Sequence, residues 1–122
     1  MKSRDTLIRL KRFQAEEKRR RVRQIEMMVA EFTRMAMELD REIANEEKRT
    51  GITDRNHVAY PTYARAAIGR CDNLKRSISE LTAQIEEAKA AEEEARAELA
   101  RYESLEGREK AHERAHEAAA RM

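Results

Sequence analysis

The sequence predicts an all-α protein, a long antiparallel two-helix coiled-coil hairpin. Charged residues make up 41% of the 122 residues, and aromatic residues only 4%. Ala, Glu, Arg, Lys and Leu, which all favour helices, dominate the composition, with three glycines and one proline available for turns. A sheet protein is excluded because strands favour β-branched and aromatic residues. Disorder is disfavoured because apolar residues recur with a helical period.

The first predicted helix spans about residues 4–50. Its end is marked by Gly51, which follows the cations Lys48 and Arg49. Glycine tolerates the left-handed conformation that closes many helices, and cations near the last turn interact favourably with the helix dipole.

A turn over residues 51–60 leads to the second predicted helix, which spans about residues 61–121. Pro61 suits a first helical turn, where its missing N–H costs nothing. At 1.5 Å per residue the two helices are roughly 70 and 90 Å long, which favours a coiled coil over a globular bundle.

Apolar residues repeat every seven positions on both helices, as the a and d positions of a coiled coil do. On the first helix the two seams are Val22, Val29, Ala36 and Ile43, and Ile25, Phe32 and Leu39. On the second helix they are Cys71, Ile78, Ile85 and Leu99, interrupted by Glu92, and Leu74, Leu81, Ala88, Ala95 and Tyr102. These residues are the predicted core.

Folding the helices antiparallel about Arg55 aligns the seams so that small residues face large ones, as close packing requires. The resulting layers include Val29 with Leu81, Leu39 with Cys71, Ile43 with Ala67, Lys18 with Glu92, and Arg4 with Glu106. In this register residues 107–122 have no partner within the chain.

Charge is distributed unevenly. Residues 1–30 carry ten basic and four acidic side chains, whereas residues 81–122 carry seven basic and eleven acidic ones. The run Lys18-Arg19-Arg20-Arg21 resembles a nucleic-acid patch, but no aromatic residues alternate with it. We interpret it as a solvated, partly neutralised face and expect no nucleic-acid partner. The four residues are also candidate residues for binding a protein partner, since they lie at the same end of the hairpin as Leu7, Leu10 and Phe13.

Enzyme chemistry is not expected. The sequence His112-Glu113-Arg114-Ala115-His116 matches the H-E-x-x-H zinc motif, but a catalytic zinc needs a third protein ligand and a pocket wall. We therefore expect neither a metal nor another cofactor, and no small-molecule substrate. Cys71 lies on a seam and is interpreted as a small core residue. The absence of a signal peptide and of a long apolar run predicts a cytoplasmic protein.

Two groups of apolar and aromatic residues lie off the seams and are candidate partner-binding residues. Leu7, Leu10 and Phe13 either enter the core after a register slip near residues 14–17 or form an exposed strip, which usually marks a contact surface. Tyr60 and Tyr63 either cap the hairpin or face a partner. Met28 and Met35 flank the seam and suit either loose packing or a docking face.

The chain resembles the FliJ family, the small coiled-coil component of the bacterial flagellar type III export apparatus. The resemblance lies in Leu7-Ile8-Arg9-Leu10-Lys11-Arg12-Phe13, in the charged segment 14–22, and in the turn region 57–68, which is similar to the alphaproteobacterial type. A second helix of near-equal length completes the similarity.

The resemblance implies a non-enzymatic stalk that couples the hexameric export ATPase to the membrane export gate protein and assists export chaperones. It also implies a role in flagellum biogenesis, motility and chemotaxis. Its location would be the cytoplasmic face of the inner membrane at the flagellar base, with peripheral attachment. Two other classes stay open: a generic coiled-coil scaffold or homodimer, such as the stalk of another secretion system, and a nucleic-acid-associated coiled coil.

Overall fold

A computed structural model of the chain describes residues 2–121. Helix α1 spans Lys2–Thr50 and helix α2 spans Thr62–Arg121, with no strand in the described range. The two helices pack against each other antiparallel, so the predicted all-α hairpin is confirmed. Neither described helix holds an apolar stretch long enough to cross a membrane.

Gly51 ends α1 as the sequence predicts. Its φ angle is 74°, in the left-handed region that favours glycine. Its N–H donates to the carbonyl of Glu47 over 2.8 Å, which is the single hydrogen bond of an αL cap. The hydroxyl of Thr50 donates to the carbonyl of Glu46 over 3.1 Å and satisfies another terminal carbonyl.

Short-range hydrogen bonds shape the segment between the helices. The N–H of Asn56 donates to the carboxylate of Asp54 over 3.0 Å, and the N–H of Tyr60 donates to the carbonyl of His57 over 3.0 Å. The carbonyl of Pro61 accepts the first bond of α2, from Arg65 over 3.0 Å. Pro61 therefore precedes the first helical residue instead of occupying the first turn, a shift of one residue from the prediction.

The hairpin divides into two compact units, each containing a piece of both helices. We call Met1–Val22 with Glu87–Met122 the terminal unit and Arg23–Glu86 the turn unit. Each unit is described separately below.

The core of the turn unit follows the predicted seams in part. Five predicted seam residues are buried, whereas six others are only half-buried: Val29, Phe32, Leu39, Leu74, Ile78 and Ile85. Tyr60 and Ala64 are buried although they are not among the predicted seam residues. Ile25 is its most fully buried large side chain, with 1% of its surface exposed. The other buried residues are Ala36, Ile43, Tyr60, Ala64, Ala67, Cys71 and Leu81. The thiol of Cys71 lies 3.7 Å from the carbonyl oxygen of Ala36 and 3.3 Å from a carboxylate oxygen of Asp40. These two residues bracket Leu39, the predicted partner of Cys71, so the predicted alignment holds here.

The terminal unit continues the same heptad phase. Ile8, Ala15 and Val22 are buried, seven residues apart. On one side of this seam the ammonium of Lys11 lies 2.9 Å from the carboxylate of Glu98, one residue from the partner that the predicted register gives it.

Two details of the predicted pairing are wrong in the terminal unit. Arg4 forms its ion pair with Glu109, about one helical turn beyond Glu106, so the unpartnered tail does not begin at residue 107. Glu92 lies 3.8 Å from Arg96 on its own helix instead of pairing with Lys18. Long charged side chains reach partners several residues from the position directly opposite. Backbone register alone therefore does not determine which ion pairs form. Met122, the last residue of the predicted tail, lies outside the described residues.

The register predicts a specific cross-link in the turn unit. With Cys71 replaced by Ala, cysteines at Val29 and Leu81 should oxidise to an intrachain disulfide, because facing seam positions bring the Cα atoms within about 7 Å. Non-reducing electrophoresis and mass spectrometry would detect the bond. The matched control pairs Val29→Cys with Asp72→Cys, and equally efficient linking of that pair would contradict the register.

Candidate docking surface

The terminal unit exposes an apolar strip, defined by Leu7, Leu10 and Phe13. Leu10 is 48% exposed and Phe13 is 56% exposed, while Leu7 is half-buried. Ile8 and Ala15 flank them on the buried seam, so the heptad phase does not slip near residues 14–17. Of the two alternatives that the sequence left open, the structure therefore supports the exposed strip.

The basic run Lys18–Arg21 follows the strip by one to two turns, and all four of its side chains are exposed. The guanidinium of Arg20 forms ion pairs with Glu16, at 3.7 Å, and with Glu17. The charge of Arg20 is thus partly neutralised on its own helix, as interpreted from the sequence.

A shallow groove of 460 Å³ lies beside the basic run. Its lining combines three arginines with two glutamates and two apolar side chains: Arg12, Arg19, Arg96, Glu16, Glu92, Ala15 and Leu99. This mixture of charges suits a polar contact with another macromolecule better than an apolar ligand, because a small-molecule site is usually a deeper and mostly apolar cavity.

Lys11 anchors the strip's helix to α2. Its ammonium pairs with Glu98 and also lies 5.4 Å from the centre of the Tyr102 ring, within cation–π range. The hydrogen bond from Lys11 lowers the pKa of the Glu98 carboxyl below its ordinary value. A second interhelical pair joins Arg12 to Glu103 over 3.6 Å. These contacts hold the two helices together where α1 presents the strip.

Leu105 is a further exposed apolar residue of the terminal unit, at 48% exposure, and the sequence interpretation missed it. It directly precedes Glu106, a seam position, and therefore flanks the seam instead of lying on it. Listing the apolar residues that fall off both seams of α2 could have identified it.

The two candidate tyrosines have different environments in the turn unit. Tyr60 is 4% exposed, and its hydroxyl donates to the carboxylate of Glu47 over 2.6 Å. Tyr60 therefore caps the hairpin, and its burial removes it from the candidate partner-binding residues. Tyr63 is 47% exposed, and its hydroxyl donates to Glu42 over 2.6 Å, which also ties α2 to α1.

Alkaline pH should weaken this cap. The hydrogen bonds to Glu47 and Glu42 raise the pKa values of Tyr60 and Tyr63 above that of a free tyrosine. Their stabilisation is thus complete below about pH 10, the unfolded pKa, and is lost as pH rises through the higher folded values. Thermal unfolding followed by circular dichroism should give a midpoint that falls more steeply above pH 10 in the wild type than in Tyr60→Phe. Parallel pH profiles for the two proteins would contradict the assignment.

The histidine pair and the cysteine are the remaining candidates for chemistry. His112 and His116 are exposed on the last turns of α2, and within residues 2–121 no group of three potential ligands is placed to hold a metal ion. Cys71 is buried. Its burial raises the pKa of the thiol above the ordinary value, and the contact with Asp40 raises this pKa further. A protonated, buried thiol is a poor nucleophile, in keeping with a packing role.

The fold and these side chains define a class of protein: a helical hairpin with an exposed surface of apolar and basic side chains. Comparisons with protein-family models, with curated proteins and with solved structures give no match for this chain.

Proposed function

We propose that this protein is a non-enzymatic, stalk-like component of the bacterial flagellar type III export apparatus. In this role it couples the hexameric export ATPase to the membrane export gate protein and assists export chaperones. It would reside in the cytoplasm, attached peripherally to the inner membrane at the flagellar base. The similarity of segments 7–22 and 57–68 to the FliJ family motivates the proposal.

The observation that carries the proposal is the exposure of Leu10 and Phe13 beside an unbroken seam. Because the core does not need these two side chains, their apolar surface is available to a partner. An apolar patch next to polar and charged residues matches the apolar core and polar rim of protein–protein interfaces.

Charge supports an encounter with an acidic partner surface. The segment up to residue 30 carries an excess of six positive charges, and Lys18, Arg19 and Arg21 are exposed. Such a charge accelerates association with an oppositely charged surface. The effect weakens with salt, because the Debye length falls from about 10 Å at 0.1 M to about 3 Å at 1 M.

Deleting the gene and restoring it on a plasmid tests the proposal. We expect the deletion strain to secrete far less flagellin and to spread poorly in soft agar, while the restored strain recovers both. The tagged protein should also copurify with the export ATPase, identified by mass spectrometry. Normal flagellin secretion in the deletion strain would refute the proposal.

A further inference from the structure

The two sides of the seam in the turn unit differ. On one side Asp40 and Lys75 lie 3.8 Å apart and close the junction between α1 and α2 with an ion pair. On the other side the helices leave an open groove of 330 Å³. The first side therefore carries an interhelical ion pair, whereas the second has a groove beside the interhelical hydrogen bond between Tyr63 and Glu42.

The open side is apolar along its floor. Met35, Leu39 and Leu74 line it, and Met28 lies one heptad before Met35 on the same side. Met28 and Met35 are 42% and 40% exposed, and the two leucines are half-buried. We call these four residues the methionine groove. Flexible thioether side chains adapt readily to an apposed helix surface.

The rim of the methionine groove carries opposite charges on its two walls. Glu38 and Glu42 lie on the α1 wall, and Arg70 lies on the α2 wall. Glu42 accepts the hydroxyl of Tyr63, whereas neither Glu38 nor Arg70 takes part in an ion pair among the described residues. A surface with one acidic and one basic wall is complementary to itself.

We propose that the methionine groove binds the methionine groove of a second copy of this chain. A two-fold axis parallel to the helices sets α1 of one copy against α2 of the other at the same level. Glu38 of each copy then faces Arg70 of the other, because the antiparallel register places residues 38 and 70 at nearly the same height. The four helices pack as a bundle in which every neighbour is antiparallel, a common and stable arrangement.

Burial gives the physical reason for the pairing. A two-helix hairpin buries a single seam, so Leu39 and Leu74 keep part of their apolar surface in water. A second copy removes that surface and the thioethers from solvent, a favourable transfer. The opposed rim charges then set register and orientation, which is the main contribution of charge complementarity at an interface. The inference concerns the turn unit and does not rest on the proposed function.

Sedimentation equilibrium of the purified chain under reducing conditions tests the pairing. The mass should rise from 14.3 kDa toward twice that value with increasing concentration. Glu38→Arg and Arg70→Glu should each weaken the dimer at least about tenfold, since each places like charges opposite each other. An equimolar mixture of the two variants should dimerise again, because both contacts in the mixed pair join opposite charges.

Two methionines provide the matched control for the apolar contact. Met35→Ser should weaken the dimer, whereas Met37→Ser should not, although Met37 is 57% exposed on the same helix, because Met37 lies outside the groove. Circular dichroism checks that each variant remains helical. A wild-type chain that stays monomeric at every concentration, single charge variants that dimerise as tightly as the wild type, or a mixture no better than its components would each overturn the proposal.

Discussion

Replacing Ile25 with Ala should lower the free energy of unfolding by about 2–5 kcal/mol, the range for truncating a buried isoleucine. Ile25 is 1% exposed and is the largest side chain that the structure buries almost completely. Alanine favours helix at least as strongly as isoleucine, so the loss arises from packing and not from helix propensity. For a chain of this size we expect the thermal midpoint to fall by roughly 10–20 °C.

Met27 provides the control for this substitution. It lies two residues from Ile25 on the same helix but is 71% exposed. Met27→Ala should change stability by less than about 0.5 kcal/mol, as substitutions at exposed sites usually do. Thermal and urea unfolding followed by circular dichroism measure both variants. Equal losses for Ile25→Ala and Met27→Ala would show that the heptad phase is wrong.

Under the proposed function, removing the exposed strip should weaken docking on the export ATPase without unfolding the protein. We expect Leu10→Ser with Phe13→Ser to weaken binding to the export ATPase at least about tenfold, since buried aromatic anchors at interfaces are commonly worth 2 kcal/mol or more. The same variant should lose stimulation of ATP hydrolysis and impair spreading in soft agar. The triple variant that adds Leu7→Ser should behave alike, with a small additional loss of stability because Leu7 is half-buried.

Matched variants separate docking from folding in that experiment. Met27→Ser with Met37→Ser replaces two apolar residues of α1 that lie outside the strip and are at least as exposed as Leu10 and Phe13. This variant should leave ATPase stimulation intact. Helicity of every variant is measured by circular dichroism. A strip variant that stays helical and fully stimulates the ATPase would place the docking surface elsewhere, with exposed Tyr63 the next residue to replace. A strip variant that loses its helicity would assign these residues to the core.

The two interaction proposals can be tested independently. The strip lies in the terminal unit and the methionine groove in the turn unit. Loss of dimerisation in Arg70→Glu with normal ATPase stimulation would support the dimer contact through the methionine groove. It would not bear on the proposal that the strip binds the ATPase. Normal dimerisation with lost stimulation in Leu10→Ser with Phe13→Ser would show the reverse.

The sequence by itself determined the two helices, the end of α1 at Gly51 and the heptad phase of the buried seams. These features depend on local or periodic properties: the helix propensity of Ala, Glu and Arg, the left-handed conformation available to Gly51, and a seven-residue apolar repeat. Each is a property of one helix, so it can be read without knowing what the helix contacts. The alignment of Cys71 with Leu39 followed from folding the chain about Arg55, an offset that also brings the two sets of seams together.

Only the tertiary structure decided where the off-seam residues lie. The exposure of Leu10 and Phe13, the burial of Tyr60, and the pairing of Arg4 with Glu109 all depend on how two helices and the connecting turn meet. Long side chains reach across a turn or more to their partners, and the connecting turn has no periodicity from which burial could be inferred. The sequence also did not distinguish the side of the hairpin with the methionine groove from the side with the ion pair between Asp40 and Lys75. Each side is formed by residues of both helices, so it is defined only when the two helices are packed together.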